Sequence, residues 1–268
     1  MASRRVIYDF GANNGDDVPY YLKKADLVVA IEANPALCEE IRNRFSADTA
    51  AGRLVVVNCA VTAERSADDT CDFYLHKQHH VLGQFPQPEA ERRGEFDRIA
   101  VPRRAATQII EDHGDPYYVK IDVQRYEAAI LRSLLEHGIR PPYISSEFQG
   151  VEVFALLVTI GRYNAFKITE GETVSETYGR CTIIVGDHIE QHSFPVHAAG
   201  PFGDDLVGPW MTAEGCLKVI ARDGISWKDV HATNRADASD VPFPGPIRAA
   251  ARRLRFALRR LGRTMFRR

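Results

Sequence analysis

The chain has 268 residues, of which 45% are hydrophobic, and its formal net charge is −2. A chain of this length and composition can bury one substantial core, so we expect one domain with a tail. Five scattered cysteines without C-x-x-C spacing argue against a disulfide scaffold and favour reduced thiols in the cytoplasm. No apolar stretch reaches the roughly 20 residues that cross a bilayer, and we expect no signal peptide, because the first strand begins near residue 6.

The first loop joins a short apolar run to an amphipathic one through two glycines. Residues 6–8 predict a buried strand and residues 18–24 a helix, and the sequence DFGANNGDD lies at residues 9–17. Gly11 and Gly15 permit backbone angles and a close approach that a β-carbon forbids. A ligand is therefore expected to lie against the main chain of this loop.

The next strand, predicted at residues 27–31, ends in Glu32, where a carboxylate can accept both hydroxyls of a ribose. The glycine spacing is G-x-x-x-G, unlike the G-x-G-x-x-G of dinucleotide sites. Asp9, Asp16 and Asp17 present three carboxylates with no cation among them, which disfavours a pyrophosphate. The same acids attract the ammonium and sulfonium groups of S-adenosylmethionine, so this cofactor is predicted, with Asp9 as the partner of its ammonium.

The rest of the chain alternates between strand and helix patterns. The predicted segments are a helix at 35–46 capped by Asn34, a strand at 54–57, a strand at 72–76, a loop over the pocket at 77–98, an extended segment at 99–102, a helix at 105–112, a strand at 117–121, a helix from 124 that Gly138 ends, a strand at 143–146, a helix at 151–160 and a strand at 181–185. This alternation predicts a doubly wound, mostly parallel α/β sheet of Rossmann-like type over residues 1–240.

Polar side chains follow several of the predicted strands. Asn58 and Ala60 come after the third strand and are expected to flank the adenine, while Asp122 and Glu147 come after two later strands. In doubly wound folds the ligand lies beyond the carboxyl ends of the strands. These residues are therefore predicted to surround the same pocket as Glu32.

Four sequence blocks carry a resemblance to a known family: DFGANNGDD, AIEANP, VKIDVQRYEAAIL and SSEF, in that order. Over about residues 5–185 the chain resembles the FkbM-type methyltransferases, a class I, S-adenosylmethionine-dependent family that mostly methylates hydroxyl oxygens. The resemblance implies that Glu32 binds the ribose and that Asp122 lies below the transferred methyl group. It also implies that the methionine part of the cofactor contacts Asp9, Gly11, Asn13, Asn14 and Gly15.

The family acts on sugars, glycolipids, polyketides and other secondary metabolites, so the resemblance implies O-methylation without naming the acceptor. This chain has Arg125 at a position where the family usually has glycine. That departure leaves the shape of the loop after Asp122 open and predicts a cation near the acceptor.

An alcohol acceptor also needs a group that takes its proton. Asp122, Glu147 and His79 are the predicted catalytic residues, with His80 and Glu127 as further candidates. Glu127 shares an apolar helical face, so its alternative role is a helix N-terminal carboxylate bonded to nearby amides. The sequence has no H-E-x-x-H or cysteine–histidine cluster, yet strand-end acids can hold Mg²⁺ through water, so metal binding stays open.

The C-terminal residues differ sharply in charge from the rest. Residues 241–246 predict a stiff, proline-rich linker, and residues 247–268 contain nine arginines and no acid, so −2 minus 9 leaves −11 for the remainder. The arginines lie mostly opposite an apolar stripe, which predicts a basic amphipathic helix for an anionic membrane surface or an acidic protein; the alternative is a frayed, solvated tail. A body at −11 disfavours nucleic acid.

Both tryptophans, Trp210 and Trp227, lie late in the chain and fit either a sugar platform or a core or subunit contact. Taken together, the sequence predicts a cytoplasmic S-adenosylmethionine-dependent O-methyltransferase, peripheral to the membrane if its tail binds lipid. The predicted acceptor is a hydroxyl of a saccharide, a glycoconjugate or a secondary metabolite. Two alternatives stay open: a non-catalytic binding module tethered by its tail, and an NAD-linked oxidoreductase.

Overall fold

The computed structural model describes residues 4–224 and 227–239. The strands in these residues are β1 Val6–Phe10, β2 Leu27–Glu32, β3 Leu54–Asn58, β4 Ala60–Thr62, β5 Thr70–His76, β6 Phe96–Ala105, β7 Pro116–Ile121, β8 Tyr143–Glu147, β9 Ala165–Glu170, β10 Cys181–Val185, β11 His188–His192 and β12 Lys228–Thr233. The helices are α1 Val18–Lys24, α2 Pro35–Arg44, α3 Ser46–Ala50, α4 Ala106–His113, α5 Glu127–Glu136, α6 Val151–Thr159, α7 Val174–Thr177 and α8 Ala213–Asp223.

Seven strands form the main sheet in the order β3-β2-β1-β7-β8-β12-β9. All neighbours pair in parallel except β12, which runs antiparallel to both β8 and β9. The predicted doubly wound, mostly parallel sheet is therefore confirmed. Because the strand order reverses between β1 and β7, their carboxyl ends open the crevice in which such folds bind ligands.

Strand β1 shows why this sheet is buried on both faces. Successive side chains of a strand point to opposite faces, and here Val6, Tyr8 and Phe10 enter the apolar cluster packed by α4, α5 and α6. Ile7 points the other way, into a second cluster that contains the aromatic rings of α1. A strand covered on both faces has a continuous apolar sequence, as parallel sheets require.

A local signal sets the start of α2 as predicted. The side chain of Asn34 accepts a hydrogen bond from the amide of Ala36 and caps α2, which ends at Arg44 rather than at residue 46. The segment over the pocket contains two 3₁₀ turns, His80–Leu82 and Ala90–Glu95. It is supported by a small sheet in which β6 pairs with β4 and β5.

Two sequence interpretations need correction in the C-terminal half. The predicted strand at residues 181–185 exists as β10, but it pairs with β11 in a separate two-stranded sheet. Strands β9 and β12 were not predicted, and β12 carries Lys228, Asp229 and His231 in a fully buried run. These polar residues break the apolar pattern that would have predicted a buried strand. Lys228 lies 3.6 Å from Glu170 and His231 bonds to Thr169 at 3.1 Å, both on β9.

The linker predicted at residues 241–246 and the basic helix predicted at residues 247–268 lie outside the described residues. Within the described part of the chain, no helix is both long enough and apolar enough to span a bilayer.

Candidate active site

A cavity of about 450 Å³ opens at the carboxyl ends of the central strands. The loop after β1 contributes Asn13, β2 contributes Glu32, the chain after β3 contributes Ala60, and β7 is followed by Asp122. The 3₁₀ turn at residues 80–82 covers one side. The cavity therefore lies at the crossover point that the fold class predicts.

The two loop glycines lie where neighbouring atoms leave too little space for a β-carbon. Gly11 has φ +86°, and a β-carbon there would lie 1.8 Å from the carbonyl oxygen of Asp122. Gly15 has φ +78°, and its β-carbon would approach Ile41 of α2 at 3.0 Å. Both positions require the left-handed region that glycine adopts freely. Gly11 also lines the cavity, whereas Gly15 is packed beneath α2 and does not.

Glu32 faces the cavity and organises the loop around it. Its two carboxylate oxygens accept hydrogen bonds from the backbone amides of Asn13, at 2.9 Å, and Asn34, at 2.8 Å. Burial raises the pKa of Glu32 to about 7, even though these amides favour its charged form. A carboxylate oxygen accepts more than one hydrogen bond, so each can still bind a hydroxyl. The geometry fits the predicted ribose site.

Asp9 does not lie where the sequence predicts it to act. Its side chain is 0% exposed and does not line the cavity, and Oδ1 accepts a hydrogen bond from Lys120 Nζ at 3.0 Å. The same ammonium donates to the carbonyl of Gly11 at 3.2 Å and lies 3.8 Å from Asp122. Asp9 therefore acts on the site through Lys120 and not by pairing directly with the cofactor ammonium.

The expectation that this acidic cluster contains no cation is wrong. Burial alone would lower the pKa of Lys120, but the carboxylates of Asp9, Asp122 and Asp17 outweigh it and hold that pKa well above its usual value. Asp16 at the loop pairs with Arg44 at 3.2 Å. The carboxylates still outnumber the two cations, so a cationic cofactor remains better matched than a pyrophosphate.

Asp17 joins the loop to a distant part of the chain. Its carboxylate accepts hydrogen bonds from the amides of Ala199 and Gly200, at 2.9 and 3.4 Å. Burial raises the pKa of Asp17 to about 7. The anchored segment carries His197 to the cavity wall, and no pattern in the sequence indicated this contribution.

The residues after β3 divide into structural and lining positions. The side-chain amide of Asn58 donates to the carbonyl oxygens of Glu32 and Ala33, both at 3.0 Å, and it does not line the cavity. Cys59 and Ala60 do line it. Of the predicted pair, Ala60 is placed to flank an adenine, whereas Asn58 fixes the turn between the two strands.

Of the two histidines that the sequence proposed, His80 lines the cavity and His79 does not. His80 Nδ1 donates to Asn13 Oδ1 at 2.7 Å, and its ring lies 5.7 Å from the ring of His197. His79 instead packs against His76, with 5.3 Å between ring centres, and does not line the cavity. The structure therefore does not support His79 as a proton acceptor.

Three carboxylates meet beyond β7 and β8: Asp122, Glu127 and Glu147 offer oxygens that all lie within 4.8 Å of one another. The side-chain amide of Gln124 lies between two of them, 3.3 Å from Glu147 Oε2 and 3.5 Å from Asp122 Oδ1. Burial and the charge of Asp122 raise the pKa of Glu147 to about 10. Glu147 is consequently protonated at neutral pH, while Asp122 faces the cavity beside it.

Glu127 has the structural role that the sequence offered as its alternative. It is buried at the start of α5, and Oε1 accepts a hydrogen bond from the amide of Val123 at 3.3 Å. It does not line the cavity. We therefore assign it to the helix N-terminus and not to the proton transfer.

Residues 9–168 match the model of the methyltransferase FkbM domain. This match spans more than half of the chain. The chain belongs to the FkbM methyltransferase family. It is therefore an S-adenosylmethionine-dependent methyltransferase, and the resemblance found in the four sequence blocks is confirmed.

Solved structures similar to this FkbM-family protein include other methyltransferases. A precorrin-6y C5,15-methyltransferase from Geobacter metallireducens is 11% identical, with 87% of this chain and 81% of that chain covered and a TM-score of 0.37. An S-adenosylmethionine-dependent O-methyltransferase from Thermotoga maritima is 10% identical, with 88% and 62% covered and a TM-score of 0.36. Likeness at this level carries no argument about the acceptor. A search of curated proteins finds no match.

The position where this FkbM-family chain departs from its family is also explained. Arg125 has φ +70°, a left-handed conformation that glycine adopts without strain. Its guanidinium pairs with Glu89 at 2.9 Å, and the residue does not line the cavity. The loop after Asp122 thus keeps the shape that a glycine would give. Arg125 does not bring the expected cation to the acceptor; the cation that lines the cavity beside Asp122 is Lys120.

The three carboxylates beyond β7 and β8 also form a candidate metal site. Asp122, Glu127 and Glu147 are the group within the described residues whose oxygens lie close enough to share an ion. Carboxylate ligands must be deprotonated, so an ion here would have to displace the proton that burial and the charge of Asp122 favour on Glu147. The structure gives no support for the Mg²⁺ that the sequence left open.

Lys120 and His197 of the FkbM-family site were missed at the level of sequence. Lys120 had a signal, because a lysine interrupts an apolar strand beside a predicted ligand site and must find a buried partner. For Trp227 the sequence had left open either a sugar platform or a core or subunit contact. Trp227 lines the cavity near Glu147, whereas Trp210 is buried and only 8% exposed, as the core alternative predicted.

Proposed function

We propose that this methyltransferase transfers a methyl group to a hydroxyl oxygen of a saccharide, a glycoconjugate or a related secondary metabolite. The observation that carries the proposal is Asp122, a carboxylate that faces the cavity at the end of β7 beside the protonated Glu147. A hydroxyl needs such a group nearby, because its proton must leave as the oxygen is methylated.

The cavity orients the cofactor by its two chemically distinct ends. Glu32 suits the ribose hydroxyls, and Cys59 and Ala60 offer small apolar surfaces to an adenine. The positively charged methionine end would then lie over the first loop, where Asp16 and Asp17 line the cavity. With this orientation the sulfonium methyl faces Asp122.

The chemistry requires alignment and one proton acceptor. A lone pair of the acceptor oxygen forms the new bond to carbon as the carbon–sulfur bond breaks, and that electron pair remains on sulfur in S-adenosylhomocysteine. The hydroxyl proton passes to the carboxylate of Asp122. Lys120 at 3.8 Å stabilises that carboxylate before transfer, and Gln124 fixes its position relative to Glu147.

The first test is binding by isothermal titration. We expect S-adenosylhomocysteine to bind and NAD to have no effect, because the acids at the loop repel a pyrophosphate. Tight NAD binding without any response to S-adenosylhomocysteine would establish the oxidoreductase alternative instead.

The second test is methyl transfer from radiolabelled S-adenosylmethionine to panels of hydroxyl, amine and carbon acceptors. We expect label on hydroxyl acceptors, and Asp122→Asn should lower the rate by about 10²–10⁴-fold while cofactor binding persists. Asp72→Asn is the control, since Asp72 pairs with Arg98 on the small sheet, outside the cavity. Label on amines alone, or full activity of Asp122→Asn, would contradict the proposal. Cofactor binding without transfer to any acceptor would support the non-catalytic alternative.

A further inference from the structure

Trp227 stands at the cavity although it lies far from the cofactor loops in sequence. It immediately precedes β12, whose insertion between β8 and β9 aligns Asp229 with Glu147 across the strand pair. The tryptophan is 43% exposed, and it lines the cavity together with Glu147 and Gln124. A large aromatic side chain with that exposure at a ligand cavity is available for contact with a substrate.

Gly171 holds the indole in place. A β-carbon on Gly171 would lie 2.5 Å from Nε1, 2.5 Å from Cε2 and 2.6 Å from Cδ2 of Trp227. A point almost equally far from three adjacent ring atoms at that distance lies over the ring face and not at its edge. The backbone amide of Gly171 also donates to the carbonyl of Trp227 at 3.0 Å. Glycine thus covers one face of the ring at a distance that no other residue permits.

Hydrogen-bonding groups line the same cavity as this ring. Glu147, Asp122 and the amide of Gln124 all line the cavity with Trp227. They offer several donors and acceptors within one small region. A flat aromatic acceptor with a single hydroxyl would use few of these donors and acceptors, whereas a saccharide presents several hydroxyls to them.

We infer that Trp227 is the platform on which the acceptor's sugar ring stacks, with Glu147 and Gln124 binding the ring hydroxyls beside the hydroxyl that Asp122 deprotonates. The inference rests on the proposed function and names its substrate class as a neutral saccharide. The C–H face of a pyranose packs on an indole face while its hydroxyls project from the edge, which matches this arrangement. Uronic acids and sugar phosphates are disfavoured, because their charge would face the carboxylate of Asp122.

Fluorescence tests the platform directly. The chain has two tryptophans, so Trp210→Phe leaves Trp227 as the only one. We would saturate this variant with S-adenosylhomocysteine and titrate neutral methyl glycosides and glucuronic acid, after checking that its unfolding transition is intact. We expect at least one neutral glycoside to change the emission, and glucuronic acid to bind about tenfold more weakly or not at all. Protein that binds the cofactor product but responds to no glycoside overturns the inference.

Substitutions separate a platform from a merely structural tryptophan. Trp227→Leu should raise the KM for the acceptor about tenfold, which corresponds to about 1.4 kcal/mol, with little change in kcat or in affinity for S-adenosylhomocysteine. Gly171→Ala should do the same, because its new methyl group displaces the indole. Ile189→Ser is the control, since Ile189 is exposed on the hairpin and does not line the cavity.

The outcomes also separate failure of the tryptophan platform from failure of the proposed function. An unchanged acceptor KM in both Trp227→Leu and Gly171→Ala overturns the platform even if methyl transfer to a hydroxyl is observed. Loss of S-adenosylhomocysteine affinity in Trp227→Leu would also overturn it, because it would place the tryptophan at the cofactor. Failure of the wild-type protein to bind S-adenosylhomocysteine or to methylate hydroxyls refutes the proposed function itself.

Discussion

Replacing Lys120 with methionine tests the electrostatic centre of the site. The ammonium of Lys120 is buried, lies 3.0 Å from Asp9 and 3.8 Å from Asp122, and donates to the carbonyl of Gly11. Methionine keeps most of the volume of the side chain but removes the charge and the donor. Asp9, which is fully buried, would then have no cation beside it.

The expected loss of stability follows from the burial of both partners. Removing one partner of a buried ion pair typically costs about 3–5 kcal/mol, because the remaining charge is left without compensation. Asp9→Asn combined with Lys120→Met removes both charges, so we expect the double variant to recover a large part of that loss. A denaturant titration of each variant gives the free energy of unfolding.

The pH dependence gives an independent check. Burial raises the pKa of Asp9, and Lys120 opposes that effect, so the pKa of Asp9 rises further in Lys120→Met. A carboxyl group with a raised pKa in the folded state binds its proton more readily there than in the unfolded chain. The stability of Lys120→Met should therefore fall as the pH rises above about 4, the ordinary value for aspartate. Its deficit relative to wild type should be smaller at pH 5 than at pH 8.

A matched control is available in a second buried pair. Lys24 lies 2.8 Å from Asp205, away from the cavity, with both side chains mostly buried. Lys24→Met should lower stability but leave the affinity for S-adenosylhomocysteine unchanged, whereas Lys120→Met should weaken both. A Lys120→Met protein within about 1 kcal/mol of wild type, or a double variant no more stable than the single one, would refute the assigned pairing.

Three further predictions address the cofactor site, the loop after β7 and the tail. Glu32→Gln should weaken S-adenosylhomocysteine binding by about 1–3 kcal/mol. Titration calorimetry should show that the wild-type affinity rises between pH 6 and 8, where Glu32 with its raised pKa of about 7 loses its proton, and that this rise is smaller in the variant, in which Asp17 still titrates. Equal affinities would remove Glu32 from the ribose site. Arg125→Gly should stabilise the protein by about 1 kcal/mol in a denaturant titration, because it relieves a φ of +70° and loses only an exposed pair with Glu89; a loss of stability would contradict this reading. Deleting residues 247–268 should abolish sedimentation with anionic vesicles and leave cofactor affinity intact. Equal sedimentation of the truncated and full-length chains would refute membrane binding by this segment.

The sequence by itself determined the parts of this protein that depend on local chemistry. Alternating strand and helix periods predicted the doubly wound sheet, and the positions of Glu32 and Asp122 at strand ends predicted the rim of the cavity. Asn34 predicted the start of α2, because a helix cap needs only a side chain and a backbone amide two residues away. Four sequence blocks in the expected order were enough to indicate the FkbM family.

Only the tertiary structure decided which charged side chains pair with one another and which side chains line the cavity. Asp9 and Lys120 are 111 residues apart, and they meet because β1 and β7 pair in a register that makes them direct neighbours. That pairing corrected both the predicted role of Asp9 and the supposed absence of a cation. Likewise, the choice of His80 over His79 depends on which ring the covering turn directs into the cavity.

The acceptor side shows the same limit most clearly. Trp227 reaches the cavity because β12 inserts antiparallel between β8 and β9, and that strand is buried despite its charged residues. Hydrophobic periodicity does not predict such a strand, because the polar partners that stabilise its buried residues belong to strands distant in sequence. Local pattern therefore determined the fold and the cofactor, while long-range strand pairing decided which side chains meet the acceptor.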